Sequence, residues 1–384
     1  MDPANTGNNT LVIDNAMIQA FKGLPELNFH GGVVLQSPEQ QRFRQIRYGT
    51  PCDMFDDFTM PKDFLAGTYA YAGPVTNHFG HYMAEMPHRI LHAKKHFNPD
   101  KWLFIAQQKS THTSYHSLPP TVREVVYFFE LPLNNIEVVN QNIYVKKLLI
   151  CEQGSALGSG PKSYYLDALS EYSSWKLNQL FKDNTSHKKV YVSRSNILTG
   201  GIFLGEKYLE QLLEQEGFYI FRPEKFPLLQ QMNLYRKADK VVFAEGSACH
   251  GLELLGREVI NSCYFFARRK NSIELFKQTL EPRCHELRHL EATDSVGSFL
   301  FNKATGINHL HLDASLFNIE LLIDFCRTNN IAQLKTFNKQ KYISQASKDL
   351  MNYFTFNIKN HRNLCDFKSV PKLIKNYIRI ATTL

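Results

Sequence analysis

The sequence predicts an α/β protein of two domains, the second of which is built on a parallel, doubly wound sheet. At 384 residues, the chain exceeds what one hydrophobic core usually organises. Hydrophobic residues make up 43% of it and aromatic residues 12%, which is enough for packed interiors and excludes a wholly disordered chain. Between residues 189 and 266, apolar strand-like runs alternate with helical segments, a pattern typical of βαβ units.

The first half of the chain is predicted to be mixed α/β. Residues 1–60 are polar and weakly patterned, with one short strand at 31–36. The segment 79–97 is predicted to be a helix that Pro87 kinks or breaks, because proline cannot donate the helical hydrogen bond. Further strands are expected at 101–106, 136–140 and 144–151, and a further helix is expected at 121–130.

The second half carries the regular alternation. Strands are predicted at 189–194, 218–224, 240–246 and 259–266. Helices are predicted at 164–181, 206–217, 226–239 and 247–256. The chain should therefore divide into four parts. These are an N-terminal α/β domain (1–152), a linker rich in Gly and Ser (153–163), a second α/β domain (164–313) and a mostly helical extension (314–384).

The net charge of +8 is concentrated at the C-terminal end. Residues 331–384 hold ten Lys or Arg and two Asp or Glu, so the rest of the chain is balanced. This distribution argues against a nucleic-acid partner, because proteins that bind nucleic acids spread positive charge over their recognition elements. The last predicted helix has four apolar residues on one face, namely Val370, Leu373, Ile374 and Tyr377. We expect this helix to pack on the protein body; attachment to an anionic membrane or docking to an assembly partner are the alternatives.

Cysteine content and hydropathy bear on location. The seven cysteines include no CxxC pair, which argues against a disulfide framework and a structural zinc site and fits a reducing cytoplasm. The first residues lack the basic and apolar regions of a signal peptide, and no apolar run reaches the roughly 20 residues that span a bilayer. A cytoplasmic protein is expected, which its basic tail could hold at the inner membrane.

A turn of small residues, Glu245-Gly246-Ser247-Ala248-Cys249-His250, follows the predicted strand 240–246. The unpaired N–H groups of a helix start, and the positive end of its dipole, favour an anion at the carboxyl edge of a parallel sheet. Gly246 would let a ligand approach the backbone, and Ser247 could cap the helix or donate to a phosphate. An ordinary strand-to-helix turn is the competing interpretation.

Arg194 ends a predicted strand between two serines, Ser193 and Ser195. If the strands are parallel, Arg194 emerges at the same edge as Glu245, where its guanidinium could bind a diphosphate and the serine hydroxyls could add donors. Lys207, at the start of the next helix, is a further candidate. The intervening loop lacks the GxxxxGK[ST] pattern of a P-loop. A surface arginine in a loop is the alternative.

Histidines and a glutamate recur at helical spacing in the first half. Their three–four spacing puts them on one helical face, at His78, His81, Glu85, His88 and His92. A histidine beside a carboxylate suits general base catalysis, because the carboxylate orients the ring and makes it more basic. The same residues could bind a metal ion, although HExxH is absent and Pro87 interrupts the register. A solvated polar face is the third interpretation.

Two stretches together resemble glycosyltransferase family 61. GHYMAEMPHRI is similar to the family's GHFLLESLPRLW-type signature. The order VYVSR, a helix, GFYIFRPE, a Gln-rich helix and AEGSACH is similar to its second signature, in which a strand ending in Ser-Arg leads to a Gly-x-His-Gly-Ser-Ala-x-His turn. The resemblance runs in order from about residue 77 to residue 256, nearly half of the chain.

The resemblance implies a GT-B arrangement, with two Rossmann-like domains facing across a cleft, and inversion at the anomeric carbon without an obligatory metal. The domain at 164–313 would bind a nucleotide sugar and the domain at 1–152 a glycan acceptor. The nucleotide sugar is a co-substrate, and no cofactor is implied. Bacterial relatives act in capsule or lipopolysaccharide assembly.

Site roles follow from the same resemblance. His81 is expected to be the base that deprotonates the acceptor hydroxyl, with Glu85 orienting it; the reversed pair is the alternative. The donor-binding residues would be Ser193, Arg194, Ser195, Lys207, Glu245, Gly246, Ser247 and His250. The acceptor-side residues would be Asn77, His78 and Arg89.

The chain departs from the family pattern at two places. Glu245 stands where many members have histidine, and the family's arginines are missing from the loop GGIFLG. A carboxylate would repel a phosphate, so Glu245 is expected to bind a ribose or sugar hydroxyl instead. Two other functions stay open: a metal-dependent transferase or hydrolase using the His and Glu residues, and a non-catalytic scaffold of a polysaccharide assembly complex that docks through its basic tail.

Overall fold

The computed structural model describes residues 9–24, 29–55, 61, 63–182, 187–302 and 306–384. The first eight residues, on which the signal-peptide prediction partly rests, lie outside the described residues. The chain forms two compact units, the first containing the described residues up to Lys182 together with Pro227–Met232 and His250–Arg257, and the second containing the rest. In the described parts, no helix is long and apolar enough to cross a membrane. The predicted domain boundaries stay a prediction.

The first unit is a mixed sheet with helices. Its strands are β1 (Thr10–Gln19), β2 (Gly32–Val33), β3 (Ile46–Arg47), β4 (Thr50–Pro51), β5 (Phe64–Pro74), β6 (Lys101–Ile105), β7 (Ile136–Val139), β8 (Ile143–Cys151), β9 (Ser155–Ala156) and β10 (Gly160–Pro161). Its helices are α1 (Phe79–Glu85), α2 (Ile90–His96), α3 (Pro120–Phe128) and α4 (Ser163–Leu180). Six strands pair in the order β2-β1-β8-β5-β6-β7, and β5 is parallel to both of its neighbours.

Sequence patterning misses two strands of this sheet. Polar Asp14 and Asn15 divide the apolar residues of β1 into two short groups, and small residues dilute the apolar run of β5. Both strands are fixed by pairing with β8, and the paired residues are at least 79 positions apart in the chain. The break that Pro87 predicts is confirmed, because α1 ends at Glu85 and α2 begins at Ile90. The segment predicted as a linker contains β9 and β10, which pair with each other.

The second unit contains the remaining strands. Its strands are β11 (Lys189–Val192), β12 (Ile202–Leu204), β13 (Tyr219–Phe221), β14 (Lys240–Ala244), β15 (Ile260–Phe266), β16 (Cys284–Leu290), β17 (Thr293–Ser298) and β18 (Asp313–Phe317). The helices that follow α4 in the chain are α5 (Glu206–Gln215), α6 (Leu228–Lys237), α7 (Ile273–Leu280), α8 (Ile319–Thr328), α9 (Lys339–Asn360) and α10 (Val370–Thr383). With sheets and helices in both units, the α/β prediction is confirmed.

A five-stranded parallel sheet organises the second unit, in the order β13-β11-β14-β15-β16. Counted along the chain, this order corresponds to the doubly wound 2-1-3-4-5 type. The order reverses between β11 and β14, and in such sheets ligands bind at the carboxyl ends of the strands beside that point. A second sheet, β12-β18-β17, consists of strands that are not predicted from the sequence.

The C-terminal helix α10 packs against β17 in the second unit, as expected from its apolar face. Leu373 and Ile380 are buried in the core of this unit, whereas Ile374 is 42% exposed. The buried face follows the spacing 373, 377, 380, so Ile374 lies to one side of it. The expected packing of this helix is therefore confirmed, with a face slightly rotated from the predicted one.

Candidate active site

His81 and Glu85 lie one helical turn apart on α1, which begins just beyond the carboxyl end of β5. The His81 Nδ1 atom is 2.7 Å from the Glu85 Oε1 atom. The Glu85 side chain is fully buried, whereas that of His81 is 26% exposed. The predicted contact is confirmed. Because the carboxylate engages Nδ1, the Nε2 atom is the ring nitrogen left to exchange a proton with a ligand.

Arg47, on β3, completes this group. Its Nε atom donates to Glu85 Oε2 at 2.7 Å and one terminal nitrogen donates to Oε1 at 2.9 Å. Burial would lower the pKa of Arg47, but the hydrogen bond and charge of Glu85 raise the pKa above its usual value. The buried carboxylate is thus paired on both oxygens and held in one orientation. Arg47 is not predicted from the sequence, because nothing in its polar surroundings indicates this long-range pair.

The other polar residues of the predicted stripe separate at Pro87. His88 is buried, with Nε2 2.7 Å from the Met83 carbonyl oxygen and Nδ1 3.1 Å from the Tyr165 hydroxyl. Burial, followed by the charge of His96, lowers the pKa of His92 to about 4. Within the described ranges, no group of three or more His, Cys, Asp or Glu residues could hold a metal ion.

The three predicted acceptor-side residues have different positions. Asn77 and His78 are exposed at the start of α1, and the His78 Nδ1 atom accepts a hydrogen bond from the backbone of His81 at 3.3 Å. Arg89 is only 1% exposed. Its terminal nitrogens donate to the carbonyl oxygens of Cys151 and, at 2.7 Å, of Arg44. Arg89 therefore ties backbone segments together inside the first unit.

Arg194 follows β11 at the switch point of the parallel sheet. One terminal nitrogen donates to the Glu245 carbonyl oxygen at 3.1 Å and the other to that of Gly201 at 2.7 Å. The predicted meeting of Arg194 with the turn after β14 is thus confirmed. A Cβ atom at Gly246 would lie 2.6 Å from this guanidinium, so glycine leaves the space that Arg194 occupies. Both terminal nitrogens of Arg194 donate to backbone carbonyl oxygens, whereas the sequence predicts a guanidinium that is free to bind a diphosphate.

The neighbouring donor-side candidates divide into buried and accessible residues. Ser193 is 2% exposed, and its hydroxyl donates to the Glu210 carboxylate and lies 3.2 Å from the Ser195 hydroxyl. Ser195 and Lys207 are partly exposed and line one cavity with Arg194. Of the serines that flank Arg194, Ser195 is therefore the one placed to meet a ligand.

The predicted α-helix after β14 is instead a 3₁₀ helix over Ser247–Leu252. Glycine, serine and cysteine are weak α-helix formers, and Gly251 interrupts the segment. The dipole expected from a full α-helix is therefore not present at this turn. Ser247 is exposed, whereas His250 is buried, belongs to the first unit and has its Nδ1 atom 3.1 Å from Glu253 Oε1.

Glu245 is an internal counter-ion in this structure. It is 1% exposed and accepts hydrogen bonds from the backbone of Arg268 at 2.7 Å and of Arg269 at 3.1 Å. The Arg269 side chain and the Ser272 hydroxyl also donate to it. Burial would raise the pKa of Glu245, but Arg268 and Arg269 outweigh it and hold the pKa below its usual value. The expectation that Glu245 binds a ribose or sugar hydroxyl gains no support, because its oxygens are occupied.

Arg269 and Lys270 are basic residues that the sequence analysis misses. They follow shortly after β15, at the same carboxyl edge as Arg194; Arg269 is partly exposed and Lys270 is exposed. The run Arg-Arg-Lys at the end of a predicted strand is a signal that could have indicated them. These residues, rather than Arg194, present positive charge at this edge.

Glu206, the first residue of α5, is a second buried carboxyl group. Its Oε1 atom accepts hydrogen bonds from the Arg194 backbone at 2.9 Å and from the Tyr191 hydroxyl at 3.1 Å. Burial raises the pKa of Glu206 from 4.5 to about 8, and the hydrogen bond from Arg194 opposes that shift. At neutral pH the group is therefore mainly the uncharged acid.

This pKa shift predicts a pH dependence of stability. A folded-state pKa above the unfolded one means that the stabilisation is complete below about pH 4.5 and is lost as the pH rises to about 8. The contribution of this one group is about 1.4 kcal/mol per pH unit in that window. Glu206→Gln keeps the shape of the neutral acid and should flatten the slope, as urea denaturation at several pH values can measure. An unchanged slope would contradict the assignment.

Comparison with known proteins adds one finding. A search of curated proteins finds no match to the chain. The model of the family Glycosyltransferase 61 matches residues 79–256, a segment that contains His81, Glu85, Arg194 and Gly246 but not Arg47 or Arg269. The match covers nearly half of the chain, and over that segment the chain is similar to the glycosyltransferases of family 61.

Proposed function

We propose that the protein is an inverting glycosyltransferase that moves a sugar from a nucleotide sugar to a glycan acceptor. The observation that carries this proposal is the pair His81–Glu85, oriented by Arg47, inside the segment that matches the family. A partly exposed imidazole backed by a buried carboxylate is what removal of a proton from an acceptor hydroxyl requires.

The proposed chemistry has one displacement step. The His81 Nε2 atom accepts the proton of the acceptor hydroxyl while the hydroxyl oxygen attacks the anomeric carbon of the donor. The bond between that carbon and the diphosphate breaks with its electron pair, and attack from the opposite face inverts the configuration. Glu85 is disfavoured as the base, because it is fully buried and both of its oxygens accept from Arg47.

The donor diphosphate is assigned to the carboxyl edge of the parallel sheet. Arg269, Lys270 and Lys207 supply positive charge there, and the Ser195 and Ser247 hydroxyls add donors. Cations and N–H or O–H donors stabilise a leaving diphosphate as its negative charge develops. The doubly wound strand order of the second unit supports the GT-B arrangement as part of this proposal.

A cytoplasmic location and a role in capsule or lipopolysaccharide assembly belong to the proposal, on the strength of the resemblance to bacterial family members. The described residues give no support to the two other functions that the sequence leaves open. No metal-binding group supports the metal-dependent transferase or hydrolase. The basic helix α10, on which the scaffold would dock, has its apolar face packed in the second unit.

Nucleotide binding tests the donor half of this proposal. A panel of nucleoside diphosphates and nucleotide sugars should contain at least one compound that raises the melting temperature of the full chain. At a hundredfold excess over its Kd, a ligand adds about 2.7 kcal/mol of stability, which corresponds to a rise of several degrees. Sulfate at equal ionic strength is the control. A panel without any stabilising nucleotide would contradict the proposal.

A further inference from the structure

The second unit contains a cavity of about 320 Å³ that the predicted site residues only partly explain. The loop after β11, the start of α5 and one face of α9 form its walls. The polar residues of these walls are Arg194, Ser195, Asn196, Glu206, Lys207, Asp349, Asn352 and Thr355. Because α9 lies outside the matched segment 79–256, the cavity depends on a part of the chain that the family resemblance does not cover.

Glu206 lines this cavity and has one carboxyl oxygen without a hydrogen-bond partner. The side chain is 1% exposed, and its Oε2 atom has no hydrogen-bond partner among the described residues. The Nε atom of Arg194, on the wall of the same cavity, is also buried and unpartnered. Buried polar atoms without partners are costly and uncommon in folded proteins. Two unpartnered atoms on the walls of one cavity, Glu206 Oε2 and Arg194 Nε, indicate that a polar ligand binds there.

The position of Glu206 is fixed by the backbone around it. Gly205 adopts a φ of +83°, which places the α5 start against α9, and its N–H donates to Asp349 Oδ2 at 2.9 Å. A Cβ atom at Gly205 would clash with the Tyr342 ring on α9, 2.3 Å away. The carboxyl groups of Glu206 and Asp349 therefore share one cavity, held by contacts between α5 and α9.

The carboxyl groups of the walls favour an uncharged ligand group rich in hydroxyls, next to the Ser195 and Lys207 side chains that the proposed function assigns to the diphosphate. Two buried carboxyl groups, Glu206 and Asp349, would repel a phosphate if ionised, and burial raises the pKa of both. A neutral carboxyl group both donates and accepts a hydrogen bond, as adjacent hydroxyls require. Phe203 and Phe356 add apolar surface, and the volume lies at the lower end of small-molecule pockets.

We propose that this cavity binds the uncharged, hydroxyl-bearing part of the donor, with Glu206 hydrogen-bonded to neighbouring hydroxyls and α9 closing the pocket. This assignment rests on the proposed function. It gives Glu206 the hydroxyl-recognition role that the sequence analysis expects of Glu245. The hydroxyls belong either to the ribose or to the transferred sugar, and these sources share the same chemistry.

Isothermal titration calorimetry on the full chain tests the proposal with UDP, GDP, ADP and CDP, with their 2′-deoxy counterparts, and with the corresponding nucleotide sugars. Asn352→Ala with Thr355→Ala removes two exposed side chains of α9 and should weaken binding about tenfold, the effect of one or two lost hydrogen bonds. Met351→Ala, on the same helix but 62% exposed and off the cavity, is the matched control and should change nothing.

Variants of Glu206 separate hydrogen bonding from shape. Glu206→Gln should retain binding, and Glu206→Met should weaken it about tenfold, with circular dichroism to confirm folding. If the ribose is the ligand, the 2′-deoxy compounds bind the unaltered chain about tenfold more weakly, and Glu206→Met weakens their binding less than that of the ribonucleotides. If the transferred sugar is the ligand, the loss in Glu206→Met appears only with nucleotide sugars.

Two outcomes would overturn the proposal, and they differ in meaning. If the unaltered chain binds nucleotides and the α9 double variant and Glu206→Met bind them equally well, the cavity assignment fails and the proposed function stands. If the unaltered chain binds none of the nucleotides or nucleotide sugars, both fail.

Discussion

Replacing His81 by alanine should lower the rate of sugar transfer by about 10²- to 10⁴-fold, the usual contribution of a general base. The imidazole is the partly exposed member of a group whose carboxylate, Glu85, is fully buried and held by Arg47. Without the imidazole ring, no side chain of α1 is placed to take the proton from the hydroxyl of the glycan acceptor. Steady-state kinetics with a saturating nucleotide sugar would measure the loss as a fall in kcat.

The same variant should bind nucleotide with nearly unchanged affinity, because His81 is assigned to the acceptor half of the reaction. His116→Ala is the matched control, since His116 is an exposed histidine of the first unit. Normal turnover in the His81 variant, together with weakened nucleotide binding, would remove His81 from the role of base and place it with the donor.

Replacing Glu245 by alanine should lower the free energy of unfolding by about 3–5 kcal/mol, the range for breaking a buried ion pair by removing one partner. The Glu245 carboxylate accepts two backbone N–H groups and the Arg269 side chain, and the buried Arg268 guanidinium lies 3.7 Å away. The two N–H groups and the Arg269 side chain would lose this acceptor, and the Arg268 guanidinium would lose its neighbouring counter-charge. Urea denaturation, followed by fluorescence, would measure the change in midpoint.

A surface pair in the same sheet provides the control for Glu245. Glu286 and Arg288 lie 2.6 Å apart on β16 with half-exposed side chains, so Glu286→Ala should cost less than about 1 kcal/mol. If Glu245→Ala were as stable as this control but lost nucleotide affinity, Glu245 would be a ligand-binding residue after all.

Local sequence spacing predicts the parts of the site that local geometry determines. His81 and Glu85 are four residues apart, so any helix through them brings the side chains together, as observed. The βαβ alternation likewise predicts the edge at which Arg194 and Gly246 meet. Both predictions depend only on element type and direction.

The residues that the sequence analysis misses or misassigns depend on long-range contacts. Arg47 reaches Glu85 from 38 residues upstream through a two-residue strand, which no periodicity reveals. Glu245 receives its partners from the turn after the next strand, so its charge is visible in the sequence but its neutralisation is not. Glu206 acquires its cavity from α9, more than 130 residues away in the chain.

The most direct test of the proposed reaction is an assay of nucleoside diphosphate release from a panel of nucleotide sugars, with glycan acceptors present and absent. We expect the unaltered chain to release diphosphate from one donor, faster with an acceptor, and the His81→Ala chain to release it at least a hundredfold more slowly. Equal rates for the two chains, or no release from any donor that binds, would contradict a glycosyltransferase that uses His81 as its base.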